Sequence, residues 1–177
     1  LVLLNQLKDL AYAQFSNYDL SVLPLFILMG GLATHTGLSR DLFRGANAWL
    51  GRLPGGVAMA AIAACAGFGA LSGSSTATAS TMGSVALPEL RRYKYAPSLA
   101  TGTIAAGGTL GILIPPSVVL IVYAIIVETN IVTMFAAALI PGILALLMFL
   151  LTIAVYVRFV PNSGPKGEKV PARELWS

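Results

Sequence analysis

Five hydroxyls fall within seven residues, on Ser72, Ser74, Ser75, Thr76 and Thr78, with Gly73 among them. Neutral oxygens of this kind suit a weakly held alkali cation, and the segment lies inside a stretch, residues 54 to 88, that carries no charge. A second uncharged stretch, Ala96 to Val127, supplies Thr109, the carbonyls near Gly107 to Gly111, and Ser117 beside Pro115-Pro116. Neither stretch contains Asp, Glu, His, Lys or Arg. A proton relay through carboxylates therefore has no candidate in them, and sodium coupling is favoured over proton coupling.

Broken apolar helices are the elements that must hold these groups. The break at Leu71 to Thr76 leaves two arms of about 14 to 17 residues, roughly 21 to 26 Å long as helix, against the ~30 Å of a hydrocarbon core. The first arm ends in free carbonyls near Leu71 and Ser72, which attract a cation. The second begins around Ser74 to Thr76 with free N–H groups, which attract an anion. In residues 96 to 128 breaks are expected at Gly107 to Gly111 and again at Pro115-Pro116, where two backbone donors are lost. Irregular backbone at membrane depth persists only where protein or a hydrated cavity satisfies it, and half-helix ends meeting near the midplane recur in secondary transporters. Ser and Gly in apolar helices also serve as small packing residues. The tip, the double proline and the charge pattern taken together favour a site.

Composition leaves little room for a soluble domain, because 56% of the residues are hydrophobic and 10% are charged. The balance is mildly basic, but the Lys and Arg residues sit at the ends of apolar runs rather than in an aromatic-interleaved stripe, so nucleic acid is not an expected partner and the lipid bilayer is. The single cysteine, Cys65, excludes a disulfide framework and reads as packing. No initiator methionine or signal peptide opens the chain at Leu1, so a fragment is expected.

In order, the chain divides into an external or interfacial segment (1–19), a transmembrane helix (20–38), an interfacial amphipathic helix (39–52), a re-entrant hairpin (53–88), a discontinuous transmembrane helix (96–128), a clear spanning helix (131–158) and a cytoplasmic linker (159–177). In the amphipathic helix, Ser39 is the expected N-cap, and Leu42, Phe43, Ala46, Trp49 and Leu50 the expected apolar face, with Trp49 near the headgroups. The positive-inside rule selects the hairpin. If residues 54 to 88 enter and return, ten of the eleven basic residues lie on the cytoplasmic side, Lys8 excepted. If they cross once, Arg91, Arg92 and Lys94 move outside and the bias largely disappears. Two full crossings give the same parity and are disfavoured by the shortness of the arms. Glu128 then reads as a solvated loop acid.

Several ordered motifs, Pro24-Leu25-Phe26-Ile27-Leu28-Met29-Gly30, Leu53-Pro54-Gly55-Gly56, Phe68 to Thr78, and Gly108 to Ser117, closely resemble the large membrane subunit of TRAP (tripartite ATP-independent periplasmic) transporters. The resemblance covers most of residues 20 to 160. It implies an all-α integral membrane permease built from inverted repeats, of which this chain would supply one half, working as a sodium-driven elevator. It implies Na+ as coupling ion and no organic cofactor. It also implies three partners: a small four-helix membrane subunit, a periplasmic substrate-binding protein, and an organic-acid substrate such as a C4-dicarboxylate, sialic acid or a similar carboxylate. Carried over by residue, Ser72, Gly73, Ser75, Thr109 and Gly111 would serve the sodium ion, and Ser74, Ser75, Thr76, Pro115, Pro116 and Ser117 the substrate. One hairpin and one broken helix are present where the whole subunit should have two of each.

Two other readings compete. Ala70-Leu71-Ser72-Gly73 loosely resembles the nucleophile motif of an intramembrane serine protease, which needs a histidine base within hydrogen-bond reach, and His35 is the single histidine. A lone histidine at a helix end is more simply an interfacial residue, so no enzyme is expected. A passive channel is the other alternative.

Overall fold

Helices form wherever the apolar runs lack a breaker, and the chain turns at Gly73, at the tandem prolines and at the charged connections. The computed structural model describes Gln6, Lys8, Tyr12, residues 22–160 and residues 163–165. Most of the expected external segment 1–19 and most of the expected linker therefore fall outside the described residues. Within them every element is helical: α1 Val22–His35, α2 Leu38–Leu50, α3 Gly56–Ser72, α4 Ser75–Arg92, α5 Pro97–Leu113, α6 Val118–Ile126 and α7 Ile131–Phe159.

The core is α3. Its Val57, Ala58, Ala60, Ala61, Cys65 and Phe68 are fully buried, and α1, α2, α4, α5 and α7 all pack against it. Alanine and glycine dominate its sequence, and small side chains let neighbouring backbones come close on every side. At 17 and 18 residues, α3 and α4 extend roughly 26 and 27 Å. The 29-residue α7 runs unbroken through Pro141, and among the described helices it alone is long and apolar enough to cross a membrane. The pair α5 and α6 meets the same test jointly, bent by 41° at the break between them.

Two expectations are corrected here. First, Gly107 to Gly111 does not interrupt the helix, because α5 is continuous to Leu113. These glycines are a contact stripe. A β-carbon at Gly107 would lie 2.8 Å from the Cys65 Sγ on α3, and one at Gly108 would lie 2.7 Å from the Ala79 Cβ on α4. The missing side chains let α5 wedge between the two arms, and that packing outweighs the weak helix propensity of glycine. Second, Ser39 is not the cap of α2. The helix begins one residue earlier, at Leu38, behind a left-handed Gly37, and the Ser39 side chain is buried. Trp49, expected near the headgroups, stands clear of the residues that α2 buries against the protein. Phe43 is 4% exposed and Trp49 86%, because six residues of helix rotate Trp49 well away from the stripe through Ser39 and Phe43.

Two helix ends close in the left-handed conformation without glycine, at Lys94 (φ 59°) and Glu128 (φ 52°). After α4, the Tyr95 N–H reaches the Leu90 carbonyl at 3.0 Å and the Lys94 N–H the Arg91 carbonyl at 2.9 Å. After α6, Thr129 and Glu128 repeat the pattern onto Ala124 and Ile125. Both are Schellman closures, so Glu128, exposed to solvent, has a definite backbone role.

Candidate functional site at two helix breaks

Ser72 is the last residue of α3, and Gly73 (φ 59°) turns the chain with its N–H on the Gly69 carbonyl at 2.8 Å. That bond is the last of the helix, which leaves the carbonyls of Ala70, Leu71 and Ser72 without intrahelical donors. Ser74 is extended and caps α4, its hydroxyl accepting from the Ala77 N–H at 3.4 Å and its carbonyl from the Thr78 N–H at 3.0 Å. Glycine is required at the turn. Besides the positive φ, a β-carbon at Gly73 would overlap the Phe26 ring of α1. Next to it, Gly30 sits against the Ser72 backbone, where a β-carbon would come within 3.1 Å of the Ser72 carbonyl oxygen.

The second break joins this turn directly. Residues 114–117 separate α5 from α6, and the Val118 N–H donates to the Gly73 carbonyl at 3.3 Å. The negative end of α3 and the positive ends of α4 and α6 therefore converge. Gly111 closes the arrangement from α5, with room for no side chain between it and the Ser74 carbonyl, 2.8 Å from an added β-carbon. The Ser72 hydroxyl pairs with the Thr78 hydroxyl at 2.8 Å. A cavity of about 490 Å³ opens at this junction, bounded by Gly30, Gly31 and Thr34 of α1, by Ser72, Gly73, Ser74 and Ser75 at the tip, and by Val118 and Val119 of α6.

The expected site residues divide accordingly. Ser72, Gly73, Ser74 and Ser75 share the cavity wall. Ser117 stands behind it, fully buried, its Oγ without a hydrogen-bond partner among the described residues. Pro115 and Pro116 form the half-buried turn before it. Thr76 is exposed, its hydroxyl 3.2 Å from that of Ser74. Thr109 is not brought to the cavity: it is exposed on α5 and its hydroxyl returns to the Ala106 carbonyl at 2.7 Å. Sequence reading missed the contribution of α1. The four-residue spacing of Phe26 and Gly30, a large and a null side chain on one helical face, is the signal that marks a close backbone approach.

Histidine and serine do not meet. The His35 ring bonds the Gly31 carbonyl at 2.9 Å, whereas Ser72 is committed to Thr78. Among the described residues no cluster of His, Cys, Asp or Glu could hold a metal ion, so any ion at the junction would be met by hydroxyl and carbonyl oxygens.

Comparison with known proteins identifies the family. The chain matches the family described as "Tripartite ATP-independent periplasmic transporter, DctM component" over residues 3–175. It is 42% identical over 158 residues to a C4-dicarboxylate TRAP transporter large permease protein of Pseudomonas aeruginosa, covering 89% of this chain and 36% of that protein. It is 39% identical over 150 residues to the corresponding protein of Vibrio cholerae, covering 85% of this chain and 33% of that protein. It is also 35% identical over 162 residues to an ectoine TRAP transporter large permease protein of Halomonas elongata, covering 89% of this chain and 38% of that protein. The chain thus spans roughly a third of the length of these relatives. Among the described residues every element is helical, and the apolar α7 and the bent α5–α6 pair fit an all-α membrane protein. The chain belongs to the DctM component family of tripartite ATP-independent periplasmic transporters.

Proposed function

We propose that this chain supplies one half of the transport machinery of a sodium-coupled permease that carries a small organic acid across the bacterial inner membrane. In this reading α3 and α4 form a re-entrant hairpin entered from the cytoplasm, α5 and α6 make one broken crossing, and α7 makes a full one. Together they would be one repeat of an inverted-repeat, elevator-type permease. The observation that carries the proposal is the joining of two helix breaks at one cavity, through the bond from the Val118 N–H to the Gly73 carbonyl.

The chemistry follows from the ends that meet there. Sodium would be drawn to the open carbonyls at the end of α3 and to the neutral oxygens of Ser72, Gly73 and Ser75, with the unpaired Ser117 hydroxyl behind them. The acid's carboxylate would face the first amides of α4, capped by Ser74 and followed by Ser75 and Thr76, and those of α6 beyond Pro115, Pro116 and Ser117. Thr109 has no direct part in this arrangement, and Gly111 acts by allowing close approach. Relatives named for C4-dicarboxylate, isethionate and ectoine support a small organic solute. A small four-helix membrane subunit and a periplasmic substrate-binding protein complete the proposed assembly.

Uptake by the full-length permease, reconstituted with its partners, tests this. The expected result is saturable uptake of a C4-dicarboxylate or similar acid that collapses with the sodium gradient, and a weaker sodium dependence in Ser72→Ala. Uptake that rises linearly with solute and ignores sodium would overturn the proposal in favour of a passive channel.

A further inference from the structure

The far end of the hairpin, where its two feet lie beside Arg52 and Arg91, is held by a segment that enters from after α7. The first foot begins at Gly55 (φ 74°) and the second ends in the left-handed Lys94. Helix α3 starts with amides that have no intrahelical acceptor. One of them, the Val57 N–H, donates to the Tyr95 hydroxyl at 3.3 Å, which links one foot to the other.

That hydroxyl in turn donates to the Pro165 carbonyl at 2.9 Å. The Ala96 N–H donates to the Ser163 carbonyl at 3.1 Å. Between these two bonds lies Gly164, where a β-carbon would come within 2.9 Å of the Val157 Cγ2, 3.0 Å of the Tyr95 ring and 3.4 Å of the Gly55 α-carbon. Val157 also lies under Gly55, 2.9 Å from the position of its β-carbon. Tyr95 and Ser163 are 4% and 3% exposed, whereas Pro165 lies at the surface. Burial raises the Tyr95 phenol above its ordinary range, only partly countered by the Val57 N–H. It therefore remains a donor to Pro165 at neutral pH.

We propose that Ser163–Pro165 is a clasp that locks both hairpin feet to the end of α7, so that the base of the hairpin cannot splay unless the clasp is released. The clasp makes α3, α4, α5 and α7 one body at this end and confines any opening to the tip, at Gly73. It goes beyond the transport reading and does not depend on it. It adds a function to a stretch whose Gly and Pro content otherwise reads as a simple linker.

Amide hydrogen exchange of the intact permease in lipid nanodiscs tests the clasp without measuring transport. Tyr95→Phe keeps the ring and removes the shared hydroxyl, and Gly164→Val forces the segment off the glycine contact. The expected result is roughly ten-fold faster exchange at both feet together, residues 56–60 and 90–96, in each variant, with residues 143–150 of α7 unchanged; that ratio corresponds to about 1.4 kcal/mol, the scale of the one or two net hydrogen bonds lost. The proposal is overturned if the feet exchange as in the unmodified protein, or if each variant affects only the segment that carries it. Should Gly164→Val fail to fold, the conservative Tyr95→Phe decides alone.

Discussion

Helices α3 and α7 are both strongly apolar, yet they occupy opposite environments. The first is built from alanine and glycine and is buried on nearly every side. The second is built from leucine, isoleucine, valine and phenylalanine and leaves most of them exposed. Hydrophobicity alone does not separate a helix that faces lipid from one that faces protein. Side-chain size does: small residues give up contact with lipid in exchange for close backbone approach, as at Gly69 against Gly111, whereas large ones cover the chain against hydrocarbon. Length agrees, with 29 residues in α7 and 17 in α3.

The largest effect that would sharpen this contrast comes from Gly69→Val. A β-carbon there would lie 2.7 Å from the Gly111 α-carbon, a backbone atom that cannot step aside, so a destabilisation of about 3 kcal/mol is expected in unfolding titrations. On α7 the matched change Ile140→Ala, at a side chain 75% exposed, is expected to cost under about 0.5 kcal/mol. Equal costs would break the comparison. Next in size is Gly73→Ala, which combines a left-handed backbone with overlap of Phe26 and should cost about 2 kcal/mol. Pairing it with Phe26→Ala should recover about 1 kcal/mol relative to the sum of the single changes.

Ser117→Ala separates stability from ion use. Its buried hydroxyl lacks a partner among the described residues, so its removal should leave stability unchanged or raise it by about 1 kcal/mol. If the hydroxyl serves sodium, the sodium concentration for half-maximal uptake should nevertheless rise several-fold. The smallest effect is expected at Glu128→Gly, where glycine relieves the left-handed backbone at some entropic cost, for a net gain of about 0.5 kcal/mol in the free energy of unfolding measured by denaturant titration.

What the sequence made legible was local. Ser72-Gly73-Ser74 contains both a left-handed stop and a cap, and Pro115-Pro116 removes two donors, so both breaks could be read from the residues themselves. The glycines at 107, 108 and 111 could not be resolved in the same way, because glycine weakens an isolated helix and also admits a neighbouring one, and only the partners Cys65 and Ala79 decide which effect wins. Ser39 fits a cap as well as a buried small residue, and Gly37 takes the cap position instead. The wall that α1 contributes to the cavity is marked only by the spacing of Phe26 and Gly30, and the docking of Ser163–Pro165 on Tyr95 joins residues so far apart in the chain that no local pattern announces it.

The central claim, that residues 53 to 88 dip into the bilayer and return, is tested most directly by labelling Arg52→Cys and Arg91→Cys with an impermeant maleimide in the full-length permease. Within this chain the single cysteine, Cys65, is buried, and cysteines elsewhere in the permease are replaced beforehand. Labelling of both positions from the cytoplasmic side alone is the predicted result, and labelling of the two from opposite sides of the membrane would contradict it.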